Sequence, residues 1–222
     1  MVQVILGSTF LFMAFLVIIG LRANVIDWGN PVVNVVDGLF RIFLRYYHHF
    51  EFDPVELPDH GGALLVSNHI SGLDPFLILG ACKRPVRFMI AREEYERFGL
   101  RWLFRATGCI PVGRSTQPKL AFREALAALQ EGEVIGLFPE GGIPEPDDPP
   151  KPLKRGVAIL AELTGAPVYP VRIRGIGAVG QVVKAVIYPS QAKLESFPVF
   201  DCAGMGKEAC LKQLVEILRI EN

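Results

Sequence analysis

The sequence predicts an α/β domain with a mixed, largely parallel sheet flanked by helices, preceded by an N-terminal membrane helix and an interfacial amphipathic helix. Three observations carry this. Residues 2–21 hold no charge, residues 31–48 show one narrow polar stripe on an apolar helix, and from Pro58 onward short β-rich runs alternate with helical patterns. A length of 222 residues gives room for one sizeable domain and an appendage. The expected division is a membrane-associating helical segment over 1–52 and the α/β domain over 53–222.

The first run, VQVILGSTFLFMAFLVIIGL, reaches roughly 30 Å as a helix, the thickness of a bilayer's hydrocarbon core. A cleaved signal peptide fits it less well, because no Lys or Arg precedes it and GLRANV is a poor cleavage site. A buried core helix is the other alternative, favoured by Gln3, Gly7, Ser8 and Thr9. Arg22, Arg41 and Arg45 all follow the run, which predicts a membrane location with the rest of the chain on the cytoplasmic side. Asn30-Pro31 is a good start for the second helix. Asn34, Asp37, Arg41, Arg45 and His48 recur at spacings of three or four and leave the remaining circumference apolar, the pattern of an interfacial helix or one packed beside another apolar helix. His48 and His49 then read as interfacial polar residues.

Strands are predicted near 63–67, 86–90, 109–112, 134–138, 168–173 and 183–188, with helices over 75–82, 92–106 in one or two pieces, 118–130, 154–164 and 207–219. In such sheets ligands gather at the carboxyl ends of the strands. The proline-rich stretch at 143–152 reads as a loop within the domain.

Lys+Arg and Asp+Glu are each 23, so overall charge gives no argument for a nucleic-acid partner. Mean hydropathy is +0.33, high for a freely soluble protein, and much of the excess lies in the first run. Locally the balance shifts. Lys83 to Glu124 holds ten bases against four acids, whereas Glu131 to Asp148 holds six acids and no base. A basic face beside an interfacial helix suits anionic headgroups and phosphate-bearing substrates. Cys82, Cys109, Cys202 and Cys210 show no metal spacing, and reduced thiols are the expectation.

The chemistry-bearing stretch is VSNHISGLD, residues 66–74. Asp74 before Pro75 is by itself an ordinary helix start, and a lone histidine is more often structural than catalytic. The two readings are compatible. A carboxylate that accepts helix N–H groups is favoured in its ionised form and can accept a proton from one imidazole nitrogen, leaving the other basic. His69 and Asp74 then form a base and its orienting acid without a protein nucleophile.

Three later segments follow in order: GCIPVGR (108–114), FPEGG (138–142) and VYPVRIRG (168–175). With the His-Asp pair they resemble the glycerolipid acyltransferases, including 1-acylglycerol-3-phosphate acyltransferases, whose motifs read approximately NHxSxxD, GxIxxxR, FPEGT(R) and a hydrophobic strand with a central proline. Asn68 to Asp74 meets the first motif in full. Gly108, Ile110 and Arg114 meet the second, Phe138 to Gly141 meet the third in part, and Val168 to Val171 meet the fourth.

The resemblance implies transfer of a fatty acyl group from a thioester to the free hydroxyl of a lysolipid at a membrane. Coenzyme A or acyl carrier protein would carry the acyl group as co-substrate, with no bound cofactor and no metal. His69 would be the general base and Asp74 its orienter. Asn68, Ser71, Arg114, Glu140 and Gly141 would bind substrate, with Arg114 on the acceptor phosphate. After Gly141 the chain departs from the family, because Gly142-Ile143 stand where Thr or Ser and then Arg are usual. Lys151, Lys154 or Arg155 are candidates to replace that missing cation, and another lysolipid or a phosphate-free amphiphile is the alternative acceptor. A non-catalytic lipid-binding protein is a rival class that the altered loop favours and the intact His-Asp pair opposes. GIGAVG at 175–180 matches a dinucleotide-binding pattern, but the β-branched run up to Pro189 argues against the helix that pattern needs.

Overall fold

The computed structural model describes residues 2–113, 118–144, 149 and 152–219. Its seven strands are β1 (Glu51–Phe52), β2 (Ala63–Ser67), β3 (Val86–Ala91), β4 (Ile110–Val112), β5 (Val134–Leu137), β6 (Val168–Arg174) and β7 (Lys193–Ser196). They form one sheet in the order β1-β7-β6-β2-β5-β3-β4. All pairs are parallel except β6 with β7. The expected mixed, largely parallel sheet is present.

β2 lies at the centre, and its five residues are all buried. Alternation across the pleat sends Ala63 and Leu65 into one core layer and Leu64 and Val66 into the other. The first layer holds α2 (Pro31–Tyr47) and α3 (Asp74–Ala81), with Tyr95 of α4 (Arg92–Tyr95) and Phe104 of α5 (Arg101–Ala106) packed against it. On the other face lie α6 (Pro118–Gln130), α7 (Gly156–Thr164), α9 (Cys202–Met205) and α10 (Lys207–Leu218).

Helix α1 (Val2–Ala23) contains an apolar segment, Ile5–Ala23, long enough to cross a membrane and only 6% buried. That exposure overturns the core-helix alternative. Among the described residues it packs chiefly on α2, at a crossing of two glycines: a Cβ on Gly38 would collide with the Gly20 carbonyl, and one on Gly20 would lie 2.7 Å from the Val35 carbonyl. Small residues at a crossing let two helix backbones touch, as in membrane helix pairs.

The polar stripe of α2 faces protein except at Arg45, which is exposed. Asn30 caps the helix through its side chain, and Asn34 binds Asp27 and the Trp28 N–H. Arg41 pairs with Asp37 at 2.7 Å and donates to the Leu79, Gly80 and Cys82 carbonyls at 2.8–3.1 Å. Those acceptors include the orphan carbonyls at the end of α3. Leu44 and Phe50, which precede the expected boundary at 52, share a core with Leu65 and Phe88.

The structure corrects three expectations. The run at 183–188 is not a strand: Val183–Ile187 forms the short helix α8, and the Tyr188 N–H closes it on the Lys184 carbonyl just before Pro189. Tertiary contacts override β propensity here. Cys202 and Cys210 are joined in a disulfide, with Cα atoms 5.1 Å apart, while Cys82 and Cys109 are free and buried.

The third correction concerns His48. It is fully buried rather than interfacial, whereas His49 is exposed. Its Nε2 donates to the Val186 carbonyl at 3.2 Å, and Nδ1 has no hydrogen-bond partner among the described residues. Burial lowers its pKa below the ordinary 6.5, against a smaller raising effect of the Val186 bond. The native state therefore resists a proton that the unfolded chain accepts. Full stability is expected above about pH 6.5, declining as pH falls toward the folded pKa by at most about 1.4 kcal/mol per pH unit for this one site. Melting curves of wild type and His48→Asn between pH 7.5 and 5.5 check this: the wild type should lose more of its Tm over that interval.

Candidate active site

Three strand ends build the site. β2 stops at Ser67, its flank β5 stops at Leu137, and β6 closes the other side. The chain leaving β2 turns through Asn68 to Leu73 and enters α3 at Asp74.

Asp74 is completely buried, and its carboxylate is bonded throughout. Oδ2 accepts from the Ile70 N–H at 2.6 Å, the Ser71 N–H at 2.8 Å and His69 Nδ1 at 2.9 Å, while Oδ1 accepts from Ser71 Oγ at 2.7 Å. Ser71 Oγ in turn accepts the Leu73 N–H at 3.1 Å. A buried carboxylate costs less when both oxygens meet donors, and here residues 69–71 supply four.

Since Nδ1 faces the carboxylate, it carries the proton and Nε2 is the basic nitrogen. The imidazole stacks on Phe138, with centroids 4.0 Å apart and planes at 17°, and its side chain is 16% exposed. Nε2 has no hydrogen-bond partner among the described residues. Two restraints thus hold the ring, a hydrogen bond at one edge and an aromatic face beneath it. The opposite edge is left for a reactant.

Glu140 binds from below: Oε2 accepts the backbone N–H of His69 at 2.9 Å, tying the loop after β5 to the loop after β2. Gly141 has φ +76°, a conformation that favours glycine, and a side chain there would run into the Lys154 ammonium. Lys154 is exposed and anchored by its own N–H to the Pro139 carbonyl at 2.7 Å. A cation therefore stands beside the altered FPEGG loop, where the sequence lacks the usual arginine.

Sequence reasoning grouped Asn68 and Ser71 with substrate-binding residues, but the structure gives both other partners. Asn68 is 2% exposed; its Nδ2 donates to the Ile173 carbonyl at 2.9 Å and its Oδ1 accepts the Ile173 N–H at 2.8 Å. It acts as one more rung between β2 and β6. Ser71 is fully buried and serves Asp74. Gly72 was given no role in the sequence, yet a Cβ there would collide with the Val182 carbonyl, where residues 178–182 pack on the loop. Arg114 lies outside the described residues.

With the imidazole-carboxylate pair placed at the carboxyl end of β2, the comparisons with known proteins acquire a structural meaning. The family model described as Acyltransferase matches residues 37–174, well over half of the chain. The chain belongs to the Acyltransferase family. The match begins within α2 and takes in the His69–Asp74 turn, the FPEGG loop and β6. Among curated relatives, the 1-acyl-sn-glycerol-3-phosphate acyltransferase of Bacillus subtilis is 24% identical over 125 residues, covering 56% of this chain and 61% of its own. The N-acylphosphatidylethanolamine synthase of Arabidopsis thaliana is 32% identical over 120 residues, covering 49% of this chain and 41% of its own. The chain thus spans about six-tenths or less of those relatives' length. In fold it is similar to the 1-acyl-sn-glycerophosphate (LPA) acyltransferase of Thermotoga maritima, with a TM-score of 0.64 and 24% identity, over 84% of this chain and 78% of that one.

Proposed function

We propose that this acyltransferase moves a fatty acyl group from an acyl thioester to the free hydroxyl of a lysolipid, most simply 1-acylglycerol-3-phosphate, giving phosphatidic acid. The observation that carries the reading is the imidazole held at Nδ1 by a buried, fully bonded carboxylate with Nε2 left for a reactant.

Nε2 takes the acceptor hydroxyl proton as that oxygen attacks the thioester carbonyl. The resulting tetrahedral intermediate expels the thiolate, and the imidazolium returns the proton to sulfur. One ester forms, one thioester breaks, and no acyl-enzyme is required. The Asp74 carboxylate stabilises the imidazolium that exists between the two transfers. Coenzyme A or acyl carrier protein supplies the thioester.

The acceptor phosphate falls to Arg114 and Lys154. A guanidinium offers two parallel donors to a phosphate, and Lys154 adds a point charge beside Gly141. Arg114→Ala is expected to raise the acceptor KM and lower kcat/KM by about 10- to 150-fold, since a hydrogen bond to a charged group is worth roughly 1.5–3 kcal/mol. The donor KM should change little. Steady-state kinetics with lysophosphatidate and a phosphate-free lysolipid check it, and equal losses on both would remove the glycerophosphate assignment.

A second acceptor class has its own support. One relative is named for N-acylation of phosphatidylethanolamine, and the cation usual after Gly141 is absent here. An amine or phosphate-free hydroxyl would use the same base, so lysophosphatidate, other lysophospholipids and phosphatidylethanolamine belong in one screen with both thioester types.

Helix α1 anchors the enzyme in the membrane, with the catalytic domain on the cytoplasmic side. Its exposed apolar length supports this, as does the placing of Arg22, Arg41 and Arg45 after it. Deleting residues 1–28 is expected to move the chain out of the membrane fraction into soluble or aggregated material. Retention in the carbonate-washed pellet at the full-length level would contradict the anchor.

A further inference from the structure

The GIGAVG run at 175–180 has no part in the chemistry proposed above, and it does not make a nucleotide site. The helix that follows it, α8, has five residues, too short for the dipole that a bound phosphate needs. Its glycines instead let backbone meet backbone. A Cβ on Gly175 would run into the Gln191 carbonyl, and one on Gly177 into the Pro189 carbonyl. The Gly177 N–H donates to Ser190 Oγ at 2.9 Å, and the Gln191 N–H to the Gly175 carbonyl at 3.1 Å. Residues 175–191 are thus a strap between β6 and β7 whose neck is tied.

The strap is packed rather than loose. Ile176 and Ala185 are buried in the same core layer as Leu77 and Ile78 of α3, and Ala178 and Val186 pack against it. Its far end is held by the end of α2: Tyr47 Oη donates to the Ile187 carbonyl at 2.5 Å, and His48 Nε2 to the Val186 carbonyl at 3.2 Å.

Its near end meets the catalytic turn. The Gly180 N–H donates to the Ile70 carbonyl at 2.8 Å, and the Gly72 N–H to the Gln181 carbonyl at 3.1 Å. The Ile70 carbonyl belongs to the same peptide plane as the Ser71 N–H, which donates to Asp74 Oδ2 at 2.8 Å. That plane is gripped twice, by the strap at its oxygen and by the carboxylate at its hydrogen. A hydrogen bond accepted by the carbonyl also polarises the amide and strengthens its N–H as a donor. The next plane carries the Gly72 N–H to the strap. Gly72 permits this approach, because a Cβ there would run into the Val182 carbonyl.

We propose that residues 180–182 are positioning residues for the His69–Asp74 pair: the strap fixes the backbone of residues 70–72 from outside, as Asp74 does from inside, and so sets the angle at which His69 presents Nε2. This rests on reading His69 as the general base. The strap acts through the turn and touches neither substrate.

The test uses the full-length enzyme in detergent micelles, with lysophosphatidate and a long-chain acyl-coenzyme A. Gly72→Ala displaces the strap by steric contact alone, since the backbone at Gly72 lies outside the left-handed region. Gly180→Ala disturbs the bond to Ile70, because φ at Gly180 is +80°. Gly165→Ala is the control: its φ is +67°, nothing lies within 4 Å of the added Cβ, and it precedes β6, at the opposite end of the sheet from the catalytic turn. Both strap variants should lower kcat about 10- to 100-fold with the two KM values little changed. The control should lose a similar amount of Tm to Gly180→Ala and keep its kcat. With isotope-labelled histidine, the His69 Nδ1 proton is assigned by its loss in His69→Gln. It should exchange slowly in wild type and in the control, and broaden away in both strap variants.

Hydrogen exchange in wild type requires no variant to fold. The amides of Ile70, Ser71, Gly72 and Gly180 should exchange through one common opening. A Gly180 amide that opens freely while Ile70 and Ser71 stay protected overturns the proposal. So does wild-type kcat in a folded Gly72→Ala or Gly180→Ala protein, a loss confined to KM, or an equal loss of kcat in Gly165→Ala. The acyl-transfer reading fails separately, as a wild type with the common opening and the slow Nδ1 proton that transfers to no acceptor.

Discussion

His69→Ala should abolish acyl transfer at the level that a positioned base contributes, about 10²- to 10⁴-fold in kcat, while leaving melting temperature and membrane binding close to wild type. The fold tolerates the change because the ring adds little to the core: it is partly exposed, its Nδ1 bond is one of four reaching Asp74, and its backbone bond to Glu140 does not depend on the side chain. What disappears is the group proposed to take the hydroxyl proton. The acceptor KM should change little, since the imidazole acts on the reacting oxygen rather than on the acyl chain or headgroup. His69→Gln separates geometry from basicity, because a glutamine can accept a hydrogen bond near Nε2 but cannot hold a proton there. Single-turnover measurement with preloaded thioester checks both variants. Near-normal turnover in a well-folded His69→Ala protein would remove the general-base mechanism, and with it the meaning assigned to the pairing with Asp74.

Much of this site was legible before any coordinates, and the part that was not has a common cause. Asp74 five residues after His69, just before a proline, is a local pattern, and local patterns translate into local geometry: the turn that brings Ile70 and Ser71 N–H groups to the carboxylate is written in seven consecutive residues. β2 and β5 were equally readable, as apolar runs of strand length between turn signals. Asn68 was assigned to substrate by the family resemblance. Its real partner, Ile173, is 105 residues away, and nothing in the spacing announces that contact. Phe138 illustrates the same limit, as a motif residue whose stacking on His69 exists only once β5 and β2 are aligned. β1 and β7 were missed because two and four residues carry too short a pattern, and their strand state is imposed by edge pairing. At 183–188 the β-branched residues spoke for a strand, while the neighbouring chain required a compact turn between Gly180 and Pro189. The polar stripe of α2 was seen, but not its destination. Arg41 uses its charge to hold the end of the helix that begins with Asp74.

Asp74 should divide into two separable effects according to the replacement. Asn is nearly isosteric, and its single carbonyl can occupy the Oδ2 position, keep both backbone N–H bonds and still accept from His69 Nδ1. Its amide then faces Ser71 Oγ, which can rotate to accept it. The turn survives, but the negative charge proposed to stabilise the imidazolium is gone. Asp74→Asn is therefore expected to fold and bind membranes normally, with kcat lowered about 10²- to 10⁴-fold and acceptor KM little changed. Asp74→Ala removes the acceptor for four donors within a buried turn. Leaving buried donors without partners costs about 1–3 kcal/mol each where water cannot reach them. The alanine variant should accordingly lose several degrees or more of Tm as well as activity, and its loop should become protease-sensitive. Thermal melts and kinetics on the pair decide the matter. An asparagine variant that unfolds as readily as the alanine one would mean that the carboxylate serves the fold alone. An asparagine variant with wild-type kcat would show that His69 needs no charged partner, and the division of labour between the two side chains would have to be abandoned.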